Sequence, residues 1–180
     1  MNEWPVGLLG TGIYLPEKVM SNHSLETVLG LKLGFIETRT GIKARRWTHN
    51  KENVLSMAAA ASVSAVKNAN VKKIDRIIVC RDAILTKRAC SVGLPVMESL
   101  AVEGINVDDA FSIDIANYCT SFVHALHIAE LMVRHDGAEN ILIVASTDFK
   151  DLVDLSPSFH SSFGDRFELV QGVRQYSITK

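Results

Sequence analysis

The stretch AFSIDIANYCTSFVHALHIAELMVRHDGAENILIVAS, residues 110–146, decides the fold. Its opening run, 110–115, is short and apolar and reads as a strand, and its closing run, 141–146, has the continuous apolar character of a strand buried on both faces. Between them, from Cys119 to His135, the residues recur at helical spacing. Phe122, Leu126, Ala129 and Val133 fall on one face, and His124, His127, Glu130 and Arg134 on the other.

Working outward, the same alternation continues. Residues 6–13 are apolar and glycine-punctuated and end at Leu15-Pro16, which predicts a buried strand leaving through a turn. Ser21 or Asn22 caps a short helix through Leu29. A helical turn follows at 35–40, broken by Gly41, and then an extended, cation-rich piece at 42–47. Asn53 to Ala69 carries Val54, Met57, Ala58, Ala61, Ala65 and Ala69 at helical spacing, so this helix packs closely against something. Residues 75–80 read as a strand and 90–102 as a helix with Gly93 and Pro95 near its start. Helices alternating with short apolar strands predict a layered α/β domain with a mixed or mainly parallel sheet and helices on both faces. No internal repeat, low-complexity segment or linker interrupts it.

The bulk numbers bound what such a domain does. A chain of 180 residues with 47% hydrophobic content buries one substantial core. A net charge of −1 with interspersed signs gives no general reason to bind nucleic acid. The first ten residues are too short and too little basic for a signal peptide, and no apolar run approaches the ~20 residues of a membrane span. The expectation is a soluble, cytoplasmic protein without membrane attachment. Cys80, Cys90 and Cys119 are three in number and lack metal-ligand spacing, so neither a disulfide scaffold nor a metal site is expected.

Cys119 follows a strand and opens the longest amphipathic helix. Unpaired backbone N–H groups and the positive end of the helix dipole stabilise a thiolate there and can hold the oxyanion formed when a thioester is attacked. The other reading is a small buried apolar residue, which is what most cysteines outside disulfides are. Spacing alone leaves both standing.

Several local strings then fall in one order. Gly10-Thr11-Gly12 with Tyr14-Leu15-Pro16-Glu17, Thr38-Arg39-Thr40-Gly41-Ile42 preceded by Phe35-Ile36 and followed by Arg45-Arg46, Asp114-Ile115-Ala116 leading to Cys119 and Phe122, and Phe163-Gly164-Asp165 follow one another along the chain. Together they resemble the N-terminal half of the β-ketoacyl-[acyl-carrier-protein] synthase III enzymes of the thiolase-like superfamily, over residues 6–165.

The resemblance implies a thiolase-like half-domain over 1–165 with a divergent tail at 166–180, normally one of two similar layered halves in a homodimer. It implies that Cys119 takes an acyl group from acyl-coenzyme A and condenses it with a malonyl-acyl carrier protein thioester, in fatty acid or polyketide-type biosynthesis. Acyl-coenzyme A is a substrate in this scheme, and no permanently bound cofactor or metal is implied. Arg39 would contact the phosphate-bearing end of coenzyme A, and Phe35 stands where the family commonly stacks a tryptophan on adenine. Arg39, Lys43, Arg45 and Arg46 form the densest basic cluster, suited to a coenzyme or carrier-protein phosphate or simply a solvated face. The family takes an enolate-stabilising histidine and asparagine from its second half, so full condensation is expected to need that half. Of the histidines here, His124 and His127 point around the side of the Cys119 helix, His23, His49 and His135 fall in loops or helix ends, and His160 lies near the closing motif. An uncovered half-fold is also expected to associate, as a homo- or hetero-oligomer. The alternative role is a non-catalytic interaction subunit or a degenerate fragment of a condensing enzyme.

Overall fold

The structure, a computed structural model, describes residues 6–81 and 91–147. Residues 82–89, Cys90, His160, the Phe163-Gly164-Asp165 motif and the boundary at 165 lie outside them. The described residues fall into two compact units, one built from 6–14 and 51–147, the other from 15–50.

In the first unit a three-stranded parallel sheet is assembled from β3 (Arg76–Arg81), β4 (Phe111–Ala116) and β5 (Ile141–Ala145), in the order β4-β3-β5. β3 lies in the centre because its Ile77, Ile78 and Val79 are apolar on both faces. The chain leaves β3 through helix α4 (Gly93–Val102) to reach β4 on one side, then returns through α5 (Ser121–His135) to β5 on the other. Crossovers of one hand running in opposite directions must pass on opposite faces. Accordingly α4 packs Val92, Val96 and Leu100 with Ile77, Val79, Leu142 and Val144, together with Ala58 and Val66 of α3 (Val54–Ala69). α5 packs Ala125, Ile128, Ala129 and Met132 against Ile78 and Cys80 on the reverse face. The expected layered α/β arrangement, with parallel strands and helices on both sides, is what forms.

The ends of these elements are chemically fixed. Asn53 caps α3 through a reciprocal box with Ser56, and Asn70 ends it in a left-handed conformation. The Asp75 carboxylate accepts N–H bonds from Glu139 and Asn140, both at 2.9 Å, and so locks the entry of β5 beside that of β3. Burial alone would raise the Asp75 carboxyl, but those two N–H groups and the Lys73 ammonium outweigh it and hold it below its ordinary value.

The segment 6–13 departs from expectation. It is not a strand; it runs without regular structure, with Leu8, Leu9 and Ile13 exposed. What holds it is steric fit to the alanine ridge of α3. A Cβ on Gly10 would sit 2.6 Å from the backbone nitrogen of Ala69, and one on Gly12 would collide with both the Ala61 carbonyl oxygen and the Ala65 nitrogen. The close-packing partner implied by the alanine series is therefore this glycine segment. Gly12→Val should lower stability by about 2 kcal/mol, because backbone on both sides must move. Gly7→Ala, with no atom of the described residues within 4 Å of the added methyl, serves as the neutral control. Urea denaturation of the two variants measures the difference.

The second unit is smaller. A two-stranded antiparallel ribbon, β1 (Val19–Ser21) with β2 (Ala44–Arg46), is joined by two short helices, α1 (Asn22–Val28) and α2 (Phe35–Thr40). Ser21 is the cap of α1, accepting the Ser24 N–H at 3.2 Å. Leu25, Leu29 and Ile36 form its core, with Met20, Leu31, Phe35 and Trp47 around them. Gly41 closes α2 at φ 70°, which a side chain would strain, as the break at that glycine predicted. Among the described residues, no helix is long and apolar enough to cross a membrane.

Candidate active site

Parallel strands place their carboxyl ends on one side, and in open α/β sheets that rim is where ligands meet the chain. β3 ends at Arg81 and β4 at Ala116 on this rim, tied by an Arg81–Asp114 ion pair of 2.7 Å. Beyond Ala116 the chain makes one turn of 3₁₀ helix, Tyr118–Thr120, and then enters α5. Cys119 sits in the middle of that turn with its side chain exposed. This corrects the reading in which Cys119 opened the α-helix itself: the helix begins two residues later, at Ser121.

The turn is held by its neighbours. Tyr118 adopts φ 49°, the left-handed region that a non-glycine residue occupies at a cost of about 1 kcal/mol or more. Hydrogen bonds on either side hold the turn in this conformation. The buried Ser121 hydroxyl accepts from the Asn117 N–H at 2.9 Å and donates to the Arg81 carbonyl at 3.2 Å, pinning the start of α5 to the end of β3. The Thr120 hydroxyl donates to the Asn117 carbonyl at 2.8 Å. Asn117 also pairs with His124 Nδ1 at 2.9 Å. The N-cap residue of α5, Thr120, makes no side-chain capping bond. A thiol is thus presented on a fixed turn at the head of a helix, where the positive end of the helix dipole lies.

The other described cysteine contrasts with it. Cys80 is buried in β3 against α5, and burial pushes its thiol up to about 11. It behaves as a packing residue, the alternative that had been open for Cys119.

The face that α5 turns to the sheet is not the one its hydropathy suggested. Ser121 and Ala125 are buried, with Ile128, Ala129 and Met132 packed beside them, whereas Phe122 is 48% and Leu126 38% exposed. Of the expected apolar face only Ala129 joins the core cluster. Small side chains at 121 and 125 allow α5 to lie close on β3, so size overrides apolarity. His124 and His127 are exposed on the helix, as expected, and His135 ends it. His23 lies in the first turn of α1, and His49 follows β2 in an irregular segment.

The second unit carries Phe35 and Arg39 one helical turn apart on α2, the guanidinium 5.7 Å from the ring centroid. Arg39 is exposed and Phe35 half-buried. The wider basic cluster does not hold together. Arg45 turns inward, only 5% exposed, and donates to Asn22 Oδ1 at 3.2 Å. Arg46 donates to the carbonyls of Pro16 and Glu17, both at 3.2 Å. Sequence reading missed Glu26, a carboxylate 2% exposed that accepts backbone N–H bonds from Gly34 and Ile36. Its signal was present, since Glu26 lies four residues after Asn22 on one face of α1, but a lone acidic residue in a helix carries no direction. Among the described residues, no group of three or more metal-ligating side chains gathers.

Known proteins bear on this geometry. The family model of 3-oxoacyl-[acyl-carrier-protein] synthase III matches residues 113–166, the span that begins in β4 and includes Cys119. The β-ketoacyl-[acyl-carrier-protein] synthase III of Aquifex aeolicus is 34% identical over 151 residues, covering 82% of this chain and 46% of the relative. That of Streptomyces lividans is 35% identical over 163 residues, covering 88% and 46%. The crystal structure of the priming β-ketosynthase from the R1128 polyketide pathway superposes with a TM-score of 0.74 at 31% identity, over 83% of this chain and 43% of that one. The chain spans about half the length of the curated relatives it matches. With a shared fold, a matching cysteine-bearing segment and this level of identity, the chain belongs to the β-ketoacyl-[acyl-carrier-protein] synthase III family of the thiolase-like superfamily.

Proposed function

We propose that this chain supplies the acyl-accepting half of a condensing enzyme, in the cytoplasm, for fatty acid or polyketide-type biosynthesis. The Cys119 thiolate attacks the carbonyl of an acyl-coenzyme A thioester, the oxyanion forms at the head of α5, and the coenzyme thiolate leaves with the proton that Cys119 gave up. A malonyl-acyl carrier protein thioester then loses CO2, and the resulting carbanion attacks the acyl-cysteine carbonyl, forming the carbon–carbon bond while the acyl C–S bond breaks and the Cys119 thiolate leaves. That second step draws on the histidine and asparagine of the family's other half. Phe35 and Arg39 serve the nucleotide end of the coenzyme, the ring by stacking and the guanidinium by pairing with phosphate.

The observation that carries this reading is the exposed thiol on the Tyr118–Thr120 turn, at the rim where β3 and β4 end. Incubation with acyl-coenzyme A and intact-mass measurement tests it. One acyl adduct per chain is the expected result, and a chain that stays unmodified refutes the reading.

A second reading, an interaction subunit without acyl transfer, draws on the outer side of α5. Phe122, Leu126 and Val123, the last 65% exposed, stand together there, and the outer edge of β4 has no partner strand among the described residues. Both readings predict association through this face. Sedimentation velocity should show a concentration-dependent oligomer that Leu126→Glu shifts toward monomer; a monomer at every concentration counts against it.

A further inference from the structure

α2 has six residues, too few to hold helical shape in water without tertiary support. Its N-cap, Gly34, has no side chain to cap the helix. The support comes from α1, whose Asn22 and Glu26 lie one turn apart on the same buried face. Glu26 reaches across and accepts the Gly34 N–H at 2.9 Å on one oxygen and the Ile36 N–H at 2.8 Å on the other, capping α2 from outside it. At the far end, Asn22 Nδ2 donates to the Ile42 carbonyl at 2.5 Å, just past Gly41. Asn22 Oδ1 in turn accepts from the buried Arg45. One face of α1 therefore grips both ends of α2, and the Phe35 ring and the Arg39 guanidinium, within cation–π distance of each other, are carried on that gripped frame.

We propose that Glu26 is a positioning residue for coenzyme recognition: through α2 it sets the placement of Phe35 and Arg39, and so tunes affinity for the nucleotide end of the coenzyme without touching it. This rests on the reading that α2 serves that end. A hydrogen bond to a buried carboxylate is directional and strong, so its loss frees the first turn of α2 even where the rest of the fold persists.

The test is equilibrium binding of coenzyme A and of pantetheine, which lacks the nucleotide, to wild type, Glu26→Gln and Glu26→Asp. A purely structural role would reduce the folded fraction and weaken both ligands by the same factor, leaving their ratio unchanged. The expected result is a loss of about tenfold in the coenzyme A to pantetheine affinity ratio in Glu26→Gln, a partial loss in Glu26→Asp, whose shorter arm keeps the charge, and an unchanged pantetheine affinity. A variant that keeps the wild-type ratio, or that weakens both ligands alike, overturns the positioning role while leaving the assignment of α2 intact. A wild type that binds the two ligands equally overturns the assignment of α2 to the nucleotide end, and the positioning role with it.

Discussion

Cys119→Ala is expected to abolish the acyl adduct completely, taking modification by acyl-coenzyme A from about one per chain to none. The reason is contrast within the molecule. Acyl transfer is favoured by a sulfur that a thioester can approach and by a position at the head of a helix, and Cys119 has both: it is exposed, and it lies directly before α5 in a turn fixed by Ser121, Asn117 and Thr120. Cys80 has neither. Its thiol is enclosed between β3 and α5 and is protonated at neutral pH, with burial lifting it to about 11. Cys80→Ala should therefore leave the adduct unchanged. Peptide mapping after acylation completes the measurement, and an adduct of equal size in Cys119→Ala would reject the acyl-accepting role, whichever residue then carried it.

How far this site could be read from the chain depended on which force decided each residue. Strands β3, β4 and β5 and helices α3 and α5 follow from apolar runs and spacing, because burial in a layered sheet demands those patterns. The rotation of α5 did not follow. Its apolar residues cover more than the stripe of Phe122, Leu126, Ala129 and Val133, and the choice between Phe122 and Ser121 as the inward residue is made by packing on β3, a tertiary quantity. The same holds for 6–13. A glycine-punctuated apolar run resembles a buried strand, yet Gly10 and Gly12 are there to clear the backbone of α3. The position of Cys119 after a strand was legible, while the left-handed Tyr118 that turns it outward was not, since nothing about a tyrosine announces a positive φ.

Arg45 is the case where composition misleads most, and it gives the largest expected stability effect. Counted with Arg39, Lys43 and Arg46 it is one cation in a basic patch; in the fold it is enclosed beside Glu26, with Nε and Nη2 buried and without a hydrogen-bond partner among the described residues. Burial lowers its pKa, and the negative charge of Glu26 restores only part of that loss. Glu26→Gln then does two things at once. It replaces one carboxylate oxygen by an NH₂ that faces a backbone N–H, and it leaves Arg45 charged without a neighbouring anion. The cost should be about 3 kcal/mol. Arg45→Met should cost less, about 1–2 kcal/mol, because the Glu26 carboxylate keeps its two backbone donors and the methionine stem refills the apolar space. In the double variant the stranded charge is gone, so the combined loss should fall short of the sum by about 2 kcal/mol. Urea denaturation of the four proteins in this cycle measures the coupling. Simple additivity would show that Glu26 acts on α2 through its hydrogen bonds alone and that Arg45 is held by packing rather than by charge.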